Sequence, residues 1–107
     1  MDLSNKKCIP CEGGIPPLSE KEIAEYQIHI SKDWKVEENR KISREYLFVS
    51  YRHTIDFINK IADLAEMEGH HPVMHIFFGR ALIELWTHSI NGLSENDFIL
   101  ASKIDKL

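Results

Sequence analysis

With 107 residues, 43% of them hydrophobic and 28% charged, the chain has the composition of one soluble globular domain. Its formal net charge of −4, from 17 acidic and 13 basic residues, excludes the basic footprint of a protein that binds nucleic acid directly. No segment approaches the roughly 20 apolar residues of a membrane span, and residues 1–7 lack the apolar core of a signal peptide, which predicts a cytoplasmic protein with no membrane contact.

Residues 1–18 form a leader that contains proline, glycine and one Cys-x-x-C pair, Cys8 and Cys11. A redox pair of this type normally lies where a strand runs into a helix, and a tetrahedral zinc site needs about four ligands. The lone pair in a loop therefore favours two reduced thiols in an ordered leader, with a metal shared between subunits as the alternative. Residues 19–107 are predicted to form a single domain.

The first predicted helix runs from Ser19 to about Ile30 and opens with Ser19-Glu20-Lys21-Glu22, the pattern of a capping box. Residues 33–38 are then predicted to form a short strand that ends at a turn. Alternation of side-chain character over residues 42–51 predicts a second strand. The two strands would form a hairpin.

Thr54 is predicted to cap the longest helix, whose apolar stripe recurs at helical spacing until Gly69, a residue suited to a left-handed helix end. Two further β-rich runs follow, Val73 to Phe78 and Ala81 to His88.

A last helix, begun by Ser94 and Asp97, completes the order αββαββα. Helices combined with hairpin-linked strands predict an α+β fold, in which an antiparallel four-stranded sheet is covered on one face by helices.

Three of the six histidines, His70, His71 and His88, lie in or near one compact stretch of polar residues. Glu66 and His70 are four residues apart at a helix end, so they would share a face, and a returning strand would bring His88 near them. Imidazoles have an ordinary pKa close to neutrality, so such a group suits proton transfer or metal ligation. The remaining histidines are expected to be surface or hydrogen-bonded residues, namely His29, His53 and His75.

This stretch resembles the motif of the pterin-4a-carbinolamine dehydratases. The matching residues are Glu66, His70-His71-Pro72, Phe78, Thr87-His88 and Asp97. A looser similarity extends over nearly the whole chain, including Cys8 to Gly14 and the region of Trp34. The chain departs from the pattern at Val73, where an acidic residue often follows the proline, and at Phe78, where a tyrosine is common.

The resemblance implies a lyase that removes water from a 4a-hydroxytetrahydropterin and gives quinonoid dihydropterin, without a metal or an organic cofactor. The implied setting is tetrahydrobiopterin recycling beside an aromatic amino acid hydroxylase. His71 would be the principal acid or base, and His70 and His88 would complete the proton-transfer set.

The substrate-binding set implied by the resemblance contains Glu66, Trp34, Pro72, Thr87 and Asp97. Glu66 would orient an imidazole or bind the pterin, and Trp34 would offer an aromatic wall unless it is a core residue. Asp97 would either support His88 or serve only as the capping partner of Ser94.

Two other classes of function stay open. One is a protein-binding role as a dimerisation cofactor for a transcription regulator. The other is a metalloprotein with Glu66, His70, His71 and His88 as ligands, although adjacent histidines do not easily bind one ion.

A sheet with helices on one face leaves its other face and its edges to be covered, which predicts a homo-oligomer. Apolar strand residues, namely Tyr46, Phe48, Phe77 and Trp86, favour the same conclusion. A dimer would be enough to cover these apolar side chains, whereas the resemblance implies a homotetramer built as a dimer of dimers.

Overall fold

A computed structural model describes residues 2–9 and 13–107 of the protein, so the predicted thiol state of Cys11 lies outside the described residues. The elements follow the predicted order αββαββα. They are α1 (Glu20–Gln27), β1 (Lys35–Glu37), β2 (Lys41–Leu47), α2 (Tyr51–Glu68), β3 (Val73–Ile76), β4 (Arg80–Leu85) and α3 (Glu95–Ile104). Two short 3-10 turns, Leu3–Asn5 and His88–Ile90, lie outside this series.

The four strands form one antiparallel sheet in the spatial order β1-β2-β4-β3, which confirms the predicted α+β architecture. The central pair, β2 and β4, runs in register from Ile42 opposite Leu85 to Leu47 opposite Arg80. Because side chains alternate across a strand, Ile83 and Leu85 enter the core, while neighbouring positions such as Glu84 lie on the other face.

Helix α3 is the most deeply buried element, and it packs against α1, α2 and the 3-10 turn of the leader. Its residues from Asn96 to Ser102 are all buried. Phe98 is fully buried and stacks on Tyr26 of α1, with ring centroids 5.2 Å apart. This position allows polar side chains of α3 to reach both the leader and the histidine-bearing end of α2.

Helix α2 begins earlier than the sequence predicted. Its N-cap is Ser50, whose side chain accepts from the His53 N–H, and not Thr54. Thr54 lies one turn inside the helix and its hydroxyl donates to the Ser50 and Phe78 carbonyls, both at 3.0 Å. Strand β2 accordingly ends at Leu47 instead of running to residue 51, since Ser50 is needed as the cap.

Other elements are also shorter than predicted, among them β1, which spans Lys35–Glu37 instead of residues 33–38. Helix α1 stops at Gln27, because the N–H groups of His29 and Ile30 bond three residues back and tighten the chain into a turn. Strand β3 ends at Ile76, short of Phe78. Strand β4 ends at Leu85, and Thr87 forms an isolated bridge with Gly92, so His88 lies in a 3-10 turn and not at a strand end.

In the part of the chain that the structure describes, no helix combines the length and apolar character needed to cross a membrane.

Candidate active site

His70, His71 and His88 line one cleft of about 280 Å³, as their spacing predicted. Gly69 ends α2 in the left-handed conformation, with φ 66°, and its N–H bonds the Ala65 carbonyl. The chain therefore turns away from the helix axis at this point, and the two consecutive histidines leave the helix end together.

His71 pairs with Glu66, with 2.6 Å between Nε2 and a carboxylate oxygen. Both side chains are exposed, by 60% for His71 and 77% for Glu66, so solvent and salt screen the pair. The sequence predicted that Glu66 would share a helix face with His70. The helix ends before that position, and the left-handed residue Gly69 redirects the chain so that His71 is the partner.

His70 pairs instead with Asp97, again at 2.6 Å from Nε2. The Asp97 side chain is fully buried, and its second oxygen accepts from the Thr87 hydroxyl and the Ser94 N–H, both at 2.9 Å. Asp97 is thus the capping partner of Ser94, as one of the two interpretations proposed. The imidazole it contacts is that of His70, and not that of His88.

His88 stacks on Trp86, with ring centroids 4.2 Å apart and planes inclined by 10°. Trp86 also lines the cleft, whereas the sequence placed it among core and interface residues. The sequence did carry a signal for this position of Trp86. It is two residues from His88, and alternate residues of an extended chain point to the same side.

Two predicted substrate-binding residues lie elsewhere. Trp34 is only 4% exposed, and its indole N–H donates to Asp105 at 2.8 Å, which makes it a core aromatic. Of the five predicted substrate-binding residues, Thr87 alone is among the described residues that line the cleft. Glu66 and Asp97 contact the lining histidines, and Trp34 and Pro72 do neither.

The other histidines behave as hydrogen-bonded surface residues where partners are seen. His75 bonds Glu84 at 2.7 Å on the sheet, and His53 bonds the Ser50 hydroxyl at 2.8 Å.

Residues 2–9 and 13–107 contain no group of three or more His, Cys, Asp or Glu side chains arranged to hold a metal ion. Of the proposed ligands, Glu66 and His71 are in direct contact, whereas Nε2 of His70 is bound to Asp97, which is not one of them.

The paired arrangement suits proton transfer. A carboxylate against one imidazole nitrogen favours a proton on that nitrogen and leaves the other for a ligand. The cleft thus holds two carboxylate–imidazole pairs of opposite character, one buried and one exposed, together with a stacked imidazole.

Comparison with known proteins gives consistent results. The family model described as pterin 4 alpha carbinolamine dehydratase matches residues 16–107. A protein of Rickettsia canadensis (strain McKiel), provisionally named as a pterin-4-alpha-carbinolamine dehydratase, is 52% identical over 103 residues, which are 96% of this chain and 94% of that protein.

The solved structures to which the chain is similar include two whose descriptions bear on function. The crystal structure of a transcriptional coactivator/pterin dehydratase from Brucella melitensis has a TM-score of 0.77 and 30% identity, and covers 84% of this chain and 96% of its own. A pterin dehydratase-like protein identified as a RuBisCO assembly factor in the alpha-carboxysome has a TM-score of 0.60 and 22% identity. The similarity covers 69% of this chain and 87% of that protein's chain. The second likeness shows the fold alone.

Proposed function

The chain belongs to the pterin-4-alpha-carbinolamine dehydratase family, and from this premise we propose that its histidine cleft removes water from a 4a-hydroxytetrahydropterin. The observation that carries the proposal is the convergence of His70, His71 and His88 on one cleft, with a carboxylate on each of the first two. The cleft volume of about 280 Å³ is near the lower end of the range of small-molecule sites, about 300–1,000 Å³.

The reaction needs one proton donor and one proton acceptor. The C4a–O bond breaks as a general acid protonates the departing hydroxyl to give water. A base takes the N5 proton, and the electron pair of the N–H bond forms the N5=C4a double bond of the quinonoid product. Protons balance between the two groups, so the scheme needs no metal and no redox cofactor.

His71 is the best placed to exchange protons, since its side chain is 60% exposed, against 12% for that of His70. His70 is held rigidly by the buried Asp97, and His88 by the face of Trp86. Two imidazoles in fixed positions could serve either stereoisomer of the carbinolamine, with the third as partner. Trp86, in place of Trp34, offers the aromatic wall for the pterin ring.

Replacement of single histidines tests this assignment. We expect His71→Ala to lower the dehydration rate by about 10²- to 10⁴-fold, the usual contribution of one acid or base, and by less where His70 or His88 substitutes for it. His75→Ala is the matched control, because His75 lies on the sheet and pairs with Glu84. Equal rates in the two variants would remove the proposed site.

Chelation separates the dehydratase from the metalloprotein alternative. A rate that is unchanged after extensive treatment with a chelator supports direct acid–base catalysis. Stoichiometric zinc whose removal abolishes the activity would favour ligation by the histidines.

In the cell, we place this activity in tetrahydrobiopterin recycling in the cytoplasm, where it would return the product of an aromatic amino acid hydroxylase to the cofactor pool. The support for this setting is the family membership. Activity on 4a-hydroxytetrahydrobiopterin, compared with other 4a-hydroxytetrahydropterins, would test the assignment of the substrate.

A second candidate role is binding to another protein chain. Tyr46 and Phe48, which the sequence offered as interface residues, instead pack on Phe57, with ring centroids 4.6 and 5.4 Å away. Near the ends of β2 and β3, three apolar residues are far more exposed. The exposed fractions are 74% for Leu47, 88% for Val49 and 74% for Phe78. We propose that they serve assembly into a homo-oligomer.

The Brucella protein is named as a transcriptional coactivator as well as a pterin dehydratase, so a transcription regulator is another candidate partner for the exposed apolar side chains. The family resemblance favours a homotetramer built as a dimer of dimers. A solution mass equal to one 12.5 kDa chain at all working concentrations would contradict self-association and leave the apolar surface to another partner.

A further inference from the structure

Residues 2–9 of the leader are anchored to the domain although they precede the segment that the family model matches, residues 16–107. Leu3 is 1% exposed and belongs to the hydrophobic core. Lys6 forms an ion pair with Glu95 at the start of α3, at 3.1 Å. Residues 2–9 are therefore packed against the domain, and this packing fixes where Ile9 lies relative to the cleft.

Asn96 holds Ile9 of the leader by two hydrogen bonds. Its amide oxygen accepts from the Ile9 N–H at 3.0 Å, and its amide nitrogen donates to the Ile9 carbonyl at 2.6 Å. The Asn96 side chain thus satisfies both backbone groups of one residue, as a neighbouring strand would. Asn96 is 5% exposed, so these bonds are partly shielded from competing water.

Cys8 adds a second anchor. Its N–H donates to Glu68 at 2.9 Å, and Glu68 in turn pairs with Lys103 of α3 at 3.3 Å. Burial, together with the Glu68 carboxylate, raises the pKa of the Cys8 thiol to about 12. The thiol therefore stays protonated at neutral pH and contacts the Asn96 carbonyl at 3.5 Å.

These anchors place Ile9 at the cleft that His70, His71 and His88 line. The Ile9 side chain is 71% exposed, even though its backbone is fixed on both sides. Ile9 and Trp86 are the two large apolar side chains of the lining among the residues described. An apolar group held in place at a polar cleft and left uncovered is suited to contact a flat ring that enters the cleft.

We propose that Ile9 is a substrate-contacting residue and that Asn96 is the positioning residue that holds it at the cleft. This inference rests on the proposed function, because the ring it would contact is a pterin. The leader then contributes to substrate affinity and not to proton transfer. Since the contact is present in both the bound substrate and the transition state, its loss raises KM and leaves kcat nearly unchanged.

Methyl NMR with 7,8-dihydrobiopterin as the probe tests the contact directly. In protein labelled at isoleucine methyl groups and histidine rings, we expect the Ile9 methyl signal and the cleft histidine signals to shift during the titration. Ile15 and Ile28 are internal controls, because both are exposed and neither lines the cleft.

Variants give the matching affinity measurement. Ile9→Ala should raise the Kd for the dihydropterin and the KM by about tenfold, the lower end of the discrimination that an apolar contact provides in a pocket. Ile9→Val should restore most of the affinity, and Ile15→Ala should behave as wild type. Because Ile9 is exposed, the alanine variant retains the fold, which unfolding curves can verify.

Asn96→Ala should give the same rise in KM together with faster hydrogen exchange at the Ile9 amide, a change that Ile9→Ala should not produce. Shifts of the cleft histidines without a shift at Ile9, and wild-type affinity in Ile9→Ala, would overturn this inference and leave the proposed function standing. No shift of any cleft signal, with no dehydration by the wild-type protein, would overturn both.

Discussion

Asp97 and Glu66 each contact a cleft histidine at 2.6 Å, yet their replacement should have very different effects on stability. The Asp97 side chain is fully buried and accepts bonds from His70, Thr87 and the Ser94 N–H. Asp97→Ala removes all three bonds and the carboxylate half of the capping box of α3. The buried Ser94 N–H loses its acceptor, whereas the Thr87 hydroxyl keeps its contact with the Ser94 hydroxyl. Each bond to a charged group contributes about 1.5–3 kcal/mol. The substitution also removes the cost of burying the carboxylate, which offsets part of this loss. We therefore expect the free energy of unfolding to fall by about 3–5 kcal/mol.

Asp97→Asn provides a graded comparison. An amide oxygen in the place of the oxygen that binds Thr87 and Ser94 keeps both of those bonds. The amide nitrogen then faces His70 and requires the other tautomer of the imidazole. We therefore expect a smaller loss of stability than in the alanine variant, about 1–2 kcal/mol, because two of the three bonds survive. Dehydration should fall about 10- to 100-fold, as when the partner of a functional histidine is changed.

Glu66→Gln is the exposed counterpart, and it should cost less than about 1 kcal/mol because solvent screens a pair of this exposure. Urea unfolding of the four proteins under the same conditions gives the free energies of unfolding, and steady-state dehydration gives the rates. Similar small losses of stability in Asp97→Ala and Glu66→Gln would refute the reasoning from burial. A fully active Asp97→Asn variant would refute the assigned role of the His70 tautomer.

Two further predictions concern Trp86 and Glu84. Trp86→Ala should lower the dehydration rate more than Trp86→Phe, because a phenyl ring can still stack on His88. The dehydration rate and the pterin affinity of both variants test this. Equal activities would contradict a role of the stack. Glu84 has a lowered pKa because the Lys41 ammonium, and then His75, bind its carboxylate. A carboxylate whose pKa is lower in the folded state stabilises the fold above its ordinary pKa and loses that effect as the pH falls through the lowered value. The difference in free energy of unfolding between wild type and Glu84→Gln should therefore be present at neutral pH and shrink as the pH falls below about 4, and a constant difference across this range would contradict the assignment.

Local features of the sequence were enough to predict the order of elements and the three histidines that share the cleft. Capping boxes at Ser19 and Ser94, both present in the structure, and the helix end at Gly69 are encoded by residues within a few positions of one another. Such local signals can be read without knowing what the chain packs against. The convergence of His70, His71 and His88 followed from the same local information combined with an antiparallel return of the chain.

The partners of these residues depend on long-range packing. The bond from His70 to Asp97 joins positions 27 apart, and the bonds from Asn96 to Ile9 join positions 87 apart. No periodicity specifies such pairs, since they depend on the direction the chain takes after Gly69 and on the depth at which α3 is buried. For the same reason Trp34, an aromatic that the sequence could place in either environment, lies in the core beside Asp105, while Trp86 lines the cleft.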